Sequence, residues 1–137
     1  AYSGGPIWPY GEGCNGLTIG ASGTAQVGTH LAVTLDGAAP VTLAMLVVGD
    51  SKSDWEGSVL PLDLAPYGAD GCFMLTNSEI LLLAITDAAG AIDATVPIHP
   101  RSDFAGITAM AQWAAFDLSA NSLGMVFSDA FLVTLQP

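Results

Sequence analysis

The sequence predicts an all-β domain, an antiparallel β-sandwich or jelly roll of about eight strands, and three observations carry that prediction. Val41–Gly49 is almost entirely apolar and ends at a Gly-Asp pair, as is typical of a strand buried on both faces. Val27–Leu35 alternates large apolar with smaller or polar residues, the period of a half-buried strand. Turn residues such as Asp36-Gly37 separate short segments of this kind. We expect Val41–Gly49 to pair with Val27–Leu35 and with Glu79–Thr86.

The remaining elements follow in chain order. Residues 1–15 are rich in Gly, Pro and aromatic side chains, so we expect an extended N-terminal arm there and the sandwich in residues 16–137. Pro61 places its segment at a sheet edge or a bulge, because proline cannot donate to a central ladder. Further strands are predicted at Leu17–Ile19, Val59–Leu64, Phe73–Leu75, Ala91–Ile98 and Met125–Leu135.

Gly106–Leu118 fits two structures. Its alanines favour a helix, whereas the alternation from Thr108 to Leu118 favours a long strand. We favour the strand because the neighbouring segments are β and no helix cap is evident. In the strand that follows, alternation predicts one shared face for Met125, Phe127, Asp129, Phe131, Val133 and Leu135.

The composition indicates that the domain is covered by partners. Hydrophobic residues make up 51% of the chain before its 16 glycines are counted, and charged residues only 11%, against about 25% in ordinary domains. A solitary domain of this size would leave much apolar surface in water, and such surface is usually an interaction site. A glycine- and alanine-rich chain with a Thr/Ser surface is the alternative.

The charge excludes two classes of partner. The formal net charge is −11, with two strong cations, Lys52 and Arg101, in the whole chain. Nucleic-acid binding and attachment to anionic membranes both need lysine and arginine clusters. No apolar run approaches the roughly 20 residues of a membrane span, so we expect neither nucleic acid nor membrane insertion.

The start of the chain and its cysteines suggest export. A chain that begins at Ala1 fits one cleaved after a signal peptide, although an expression product would look the same. Cys14 and Cys72 are the two cysteines, and in a secreted chain one disulfide is the simplest interpretation. Two buried free thiols would also fit the sequence. We therefore expect a secreted protein, extracellular or at the cell surface.

A set of Gly, Pro, Cys and core positions resembles a known domain. The motifs are Gly11-x-Gly13-Cys14, Leu46–Gly49, Leu60-Pro61-Leu62-Asp63-Leu64, Gly68-x-x-Gly71-Cys72, Pro97, Pro100, Phe104-Ala105-Gly106, Gln112 and Asn121-x-x-Gly124-x-x-x-Ser128. Over nearly its whole length the chain resembles an uncharacterised secreted β-sandwich domain of exported proteins from planctomycetes and other environmental bacteria. The resemblance implies an extracellular β domain with a Cys14–Cys72 disulfide and no catalytic residues. The resembled domain often lies at the C-terminal end of larger secreted chains, whereas we expect this domain to stand alone behind an aromatic arm.

Few residues suggest chemistry. Asp50, Asp54 and Glu56 share a polar loop and form a weak calcium candidate, but Lys52 interrupts them and the spacing lacks the glycine and final glutamate of a calcium loop. A solvated turn is the simpler interpretation, and we expect no other cofactor. His30 and His99 are expected to be structural, and no Gly-x-Ser-x-Gly, phosphate-loop or zinc-protease motif occurs.

These observations favour a non-enzymatic structural protein that self-assembles into an extracellular filament, tube or surface layer. We expect the subunit contact to involve the aromatic or apolar residues of the arm and of the exposed loop. These residues are Tyr2, Ile7, Trp8, Tyr10 and Trp55. The alternative function is a secreted carbohydrate-binding module that stacks sugars on Trp8, Trp55 or Trp113. Self-association and polysaccharide are therefore the two kinds of partner predicted.

Overall fold

The computed structural model describes residues 7–137, and in this range the chain forms twelve β-strands and two short 3-10 helices (Ala65–Tyr67 and Ser102–Phe104). The all-β prediction is confirmed. The strands are β1 (Ile7–Tyr10), β2 (Thr18–Ser22), β3 (His30–Asp36), β4 (Leu43–Gly49), β5 (Asp54–Trp55), β6 (Ser58–Val59), β7 (Leu62–Asp63), β8 (Phe73–Met74), β9 (Ile80–Ile85), β10 (Ile92–Pro97), β11 (Thr108–Phe116) and β12 (Met125–Thr134).

Eight of these strands build two antiparallel sheets that pack as a sandwich. The larger sheet has the order β1-β12-β11-β4-β9 and the smaller one β10-β3-β2. The remaining four strands form the two-residue ladders β5-β6 and β7-β8. Hydrogen bonds join the sheets: for example, the Trp113 indole N–H donates to the Thr34 carbonyl (3.0 Å), and the Ile19 N–H donates to Asp129 Oδ1 (2.8 Å).

Strand β4 is a buried strand inside its sheet, next to the edge strand β9 and not at the predicted centre, which β11 occupies; one of its predicted partners is also wrong. Leu46 is 1% exposed, and β4 pairs with β11 and β9. Val27–Leu35, observed as β3, lies in the opposite sheet. After Asp36-Gly37 the chain crosses between the sheets instead of closing a hairpin, because each sheet buries one apolar face and needs the other sheet to cover it.

Gly106–Leu118 forms strand β11, which confirms the strand interpretation, but the predicted single face of β12 is wrong. The β11–β12 register shifts between Gln112 and Ala114 at a β-bulge. Phe131 lies opposite Ala111, and Phe127 lies opposite Ala114. Ala111 and Ala114 are an odd number of residues apart, so their side chains face opposite sides of the sheet. Each phenylalanine shares a face with its cross-strand partner, so Phe131 and Phe127 also point to opposite sides.

Part of the predicted N-terminal arm belongs to the larger sheet. Ile7–Tyr10 is not an extended tail but the edge strand β1, paired with β12. Ile7 is buried in the core, and the Tyr10 hydroxyl donates to the Leu75 carbonyl (2.9 Å). Pro9 fits because an edge strand tolerates a missing donor. Tyr2 and the other residues of 1–6 lie outside the described residues.

Residues 50–77 form a third layer over part of the outer face of the five-stranded sheet. The Gln112 side chain accepts from the Leu75 N–H and donates to the carbonyls of Phe73 and Ser128. The predicted disulfide is confirmed: Cys72 of this layer is bonded to Cys14, whose backbone N–H donates to the Phe127 carbonyl (2.8 Å). The layer is therefore fastened over β11 and β12.

The carboxyl of Asp129 predicts a pH effect on stability. Burial raises the pKa of Asp129 above its ordinary value, although a bond from the Ile19 N–H partly offsets this effect. A raised folded-state pKa means that the charged form destabilises the fold, so stability falls as pH rises through that range. We expect Asp129→Asn, which keeps an acceptor for Ile19, to raise the melting temperature at pH 7 and to have little effect near pH 3. A lower melting temperature at pH 7 would contradict this prediction.

Candidate assembly surface

Strand β9 is an exposed apolar strand at the edge of the larger sheet. All six residues of Ile80–Ile85 are apolar, and Ile80, Leu81, Leu82, Leu83 and Ile85 are 41–65% exposed. We call these five side chains the β9 surface. A run of this kind normally predicts a buried strand, so the sequence did not distinguish β9 from β4.

The β9 surface has two faces, and both are open. Cross-strand partners share a face, and Leu82 lies opposite Leu46, which points into the sandwich, whereas Leu83 lies opposite Met45. Ile80 and Leu82 therefore belong to the inner face, and Leu81, Leu83 and Ile85 to the outer face. The smaller sheet has three strands against five, and the layer of residues 50–77 is fastened over β11 and β12, so the β9 side chains stay exposed on both faces.

The backbone of β9 offers a free ladder. The Thr86 N–H donates to the Thr42 carbonyl (2.9 Å), and in an antiparallel pair alternate residues exchange bonds with the neighbouring strand. Ile80, Leu82 and Ala84 thus bond to β4. The N–H and C=O groups of Leu81, Leu83 and Ile85 point away from the sheet, where no other strand of the described chain pairs with β9.

The two edges of this sheet differ in their protection. Natural edge strands are usually guarded by charges, prolines or bulges. Strand β9 contains no charge and no central proline, and its nearest charges are Glu79 and Asp87 just beyond its ends. The opposite edge, β1, contains Pro9, which has no N–H to donate. Strand β9 is therefore the edge that is open to another strand.

The apolar area continues past the end of β9. Leu43 pairs with Ile85 on the outer face, and the Val41 N–H donates to the Asp87 carbonyl. Val41 and Leu118 line one shared surface depression, and both are largely exposed. The β9 surface alone amounts to on the order of 500 Å², the upper end of the largest patch on an ordinary monomer.

A second candidate site surrounds one of the sequence-predicted residues. Half-buried Trp55 lines an open groove of about 330 Å³ together with Glu56, Ser58, Leu62, Leu64, Tyr67 and Leu123. Trp55 belongs to the β5–β6 hairpin, whose turn residues Glu56 and Gly57 both have positive φ. Sequence reasoning missed Tyr67, although its Pro-Tyr-Gly turn is the kind of segment that exposes a ring.

The structure does not bring the other predicted contact residues together. Trp8 is 64% exposed on β1, at the far edge of the sheet from β9, while Ile7 is buried in this chain's own core. Tyr10 is half-buried, and burial raises the pKa of its hydroxyl. Trp113 is 1% exposed, so it is a core residue and does not serve as a sugar-stacking platform.

The calcium candidates are not gathered into a ligand set. Among residues 7–137 no group of three or more His, Cys, Asp or Glu side chains is placed to hold a metal ion. Asp50 instead accepts from the Asn77 side-chain amide (2.7 Å), and Asn77 Oδ1 accepts from the N–H groups of Asp50 and Ser51. Asn77 thus anchors the start of this polar loop to the segment between β8 and β9.

Both histidines are exposed. His30 begins β3, whereas His99 packs its ring on Phe104 and accepts from the Arg101 N–H (3.2 Å).

Within the described range no helix is long and apolar enough to cross a membrane.

The comparisons with known proteins add no relative. The sequence matches no family model and no curated protein, and the fold matches no solved structure. The resemblance to the exported bacterial domain therefore stays a prediction.

Proposed function

We propose that this protein is a non-enzymatic extracellular structural subunit, which assembles with copies of itself through the β9 surface into a filament, tube or surface layer. The observation that carries the proposal is the β9 edge: apolar on both faces, with an unpaired backbone ladder and no protecting charge or proline. Two such surfaces, fully buried against each other, would remove about 1,000 Å² from water, the lower limit expected of a specific interface.

One further observation supports an extracellular setting, and two others support assembly. The Cys14–Cys72 disulfide is of a kind that persists in oxidising compartments. The net charge of −11 keeps the single subunit soluble until its concentration is high enough for assembly. Exposed Trp8, at the opposite edge of the sheet, offers a second contact through which assembly would extend beyond a first pair.

A lysine on β9 tests the proposal. We expect Leu83→Lys to fold like the parent, because the side chain is exposed, and to lose self-association, because a charge would have to be buried in the contact. Sedimentation velocity over a wide concentration range measures the association, and electron microscopy shows any polymer. Val59→Lys is the matched control, since Val59 is equally apolar and exposed on the β5–β6 hairpin. A parent that stays monomeric at every concentration, or association that Leu83→Lys leaves unchanged, would overturn the proposal.

The Trp55 groove favours carbohydrate binding as the second candidate function. Its two aromatic side chains, with the Glu56 carboxylate and the Ser58 hydroxyl beside them, provide the stacking surface and polar groups that sugar recognition uses. If the protein is monomeric and is retained on an insoluble polysaccharide, the binding-module function replaces the structural one.

A further inference from the structure

The β9 edge also determines how the first contact between two subunits is built. We propose that β9 pairs with β9 of a second copy, antiparallel about a two-fold axis at Leu83, which joins two five-stranded sheets into one ten-stranded sheet. This inference rests on the proposed function and adds the symmetry and register of the contact.

The strand that pairs with β9 is β9 of a second copy, because the two edges of the larger sheet differ in their outward-pointing backbone groups. Pairing β9 with β1 of another copy would give an open chain, but Pro9 leaves a gap in the ladder of β1. In a β9–β9 contact, each strand provides a continuous row of outward-pointing N–H and C=O groups. The apolar side chains of each strand contact equally apolar side chains of the other. An identical patch on both partners gives an isologous contact that closes as a dimer.

The register follows from the outward-pointing backbone groups. Leu81, Leu83 and Ile85 each present one N–H and one C=O, and only these three residues of β9 point outward. With Leu83 opposite Leu83, Leu81 of each copy lies opposite Ile85 of the other, and all three pairs exchange both bonds. A slip of one residue in the pairing would set these groups opposite residues whose own groups bond to β4. A slip of two residues, which moves the axis to Leu82 or Ala84, pairs only two of the three, because the Asp87 N–H is already bonded to the Ala91 carbonyl and the Glu79 N–H to the Val48 carbonyl.

The same register brings like charges together. Glu79 and Asp87 are both exposed, and each lies an equal four residues from Leu83. In the pair, Glu79 of one copy therefore comes opposite Asp87 of the other, at both ends of the ladder. Repulsion between these carboxylates weakens the dimer at low ionic strength, and salt relieves it.

Cysteine cross-linking tests the axis. Both native cysteines are in the disulfide, so an introduced thiol is free to report. A hydrogen-bonded antiparallel pair has Cα atoms about 5.5 Å apart, within the range of roughly 4.4–6.8 Å that a disulfide spans. We expect Leu83→Cys to cross-link to itself under mild oxidation. Leu81→Cys or Ile85→Cys alone should not, because like residues would be about 13 Å apart, but a mixture of the two should.

Charge reversal provides an independent test. We expect Glu79→Lys to lower the dimer dissociation constant roughly tenfold at low salt, since two repulsive pairs become attractive, and the gain to disappear in 1 M salt. Glu12→Lys is the matched control: it makes the same change in net charge on an exposed residue of the loop after β1 and should leave the dissociation constant within about twofold of the parent.

The outcomes separate the two proposals. A parent that never associates overturns self-assembly itself. Association that Leu83→Lys abolishes, but without Leu83→Cys cross-linking or with equal effects of the two lysine variants, overturns the two-fold β9–β9 register and leaves assembly through β9 standing. Cross-linking of Leu81→Cys to itself would likewise overturn the axis at Leu83.

Discussion

Replacing Leu46 with Asp is expected to abolish folding. Leu46 lies in the middle of β4 between β11 and β9, and it is 1% exposed in the core between the two sheets. A carboxylate there would be buried without a partner, which costs more than the whole stability of an ordinary domain of this size unless the carboxyl takes up a proton. Circular dichroism and denaturant titration should show an unfolded chain at pH 7.

The cross-strand neighbour of Leu46 supplies a control. Leu82 pairs directly with Leu46 but is on the open edge strand and 41% exposed. We expect Leu82→Asp to remain folded and to lose self-association. Leu46→Ala, which removes the packing but adds no charge, should cost about 2–5 kcal/mol of unfolding free energy. A folded and stable Leu46→Asp protein would show that the position of β4 in the core is wrong.

Removing the disulfide is expected to have the next largest effect. Cys14 and Cys72 are 58 residues apart, and closing a loop of that length stabilises a fold by about 4 kcal/mol in the chain-entropy model. The bond also fastens the layer of residues 50–77 onto the larger sheet. The double variant Cys14→Ala/Cys72→Ala should therefore lose about 4 kcal/mol in denaturant unfolding.

Reduction of the parent is the matched comparison. Dithiothreitol should bring the parent close to the stability of the double alanine variant, because both lack the covalent link, and it should leave that variant unchanged. A loss below about 1 kcal/mol in the variant would mean that the bonds of Gln112 to Phe73, Leu75 and Ser128 hold the layer without the disulfide.

The sequence alone determined the fold class and most of the strands. Period-two alternation in Ala91–Ile98 and the continuous apolar run of Val41–Gly49 depend on local side-chain order, which a single chain displays directly. The same is true of Gly106–Leu118, where the surrounding β segments decided between helix and strand. Its composition, rich in apolar residues and poor in charge, also indicated that apolar side chains would stay exposed on the single domain.

Only the tertiary structure decided where that surface lies. Val41–Gly49 and Ile80–Ile85 are both almost entirely apolar, yet the first contains the interior strand β4 and the second is an open edge, because burial depends on which strands become neighbours and how far the smaller sheet reaches. The bulge beside Gln112 likewise reverses the faces of Phe127 and Phe131, since a register shift arises from pairing with another strand. Ile7 of the predicted arm was expected to contact a neighbouring subunit, but it pairs with β12 and is buried in this chain's own core. The position of the exposed strand, the faces of the phenylalanines and the burial of Ile7 all depend on contacts between residues distant in sequence. A local sequence pattern does not contain this information.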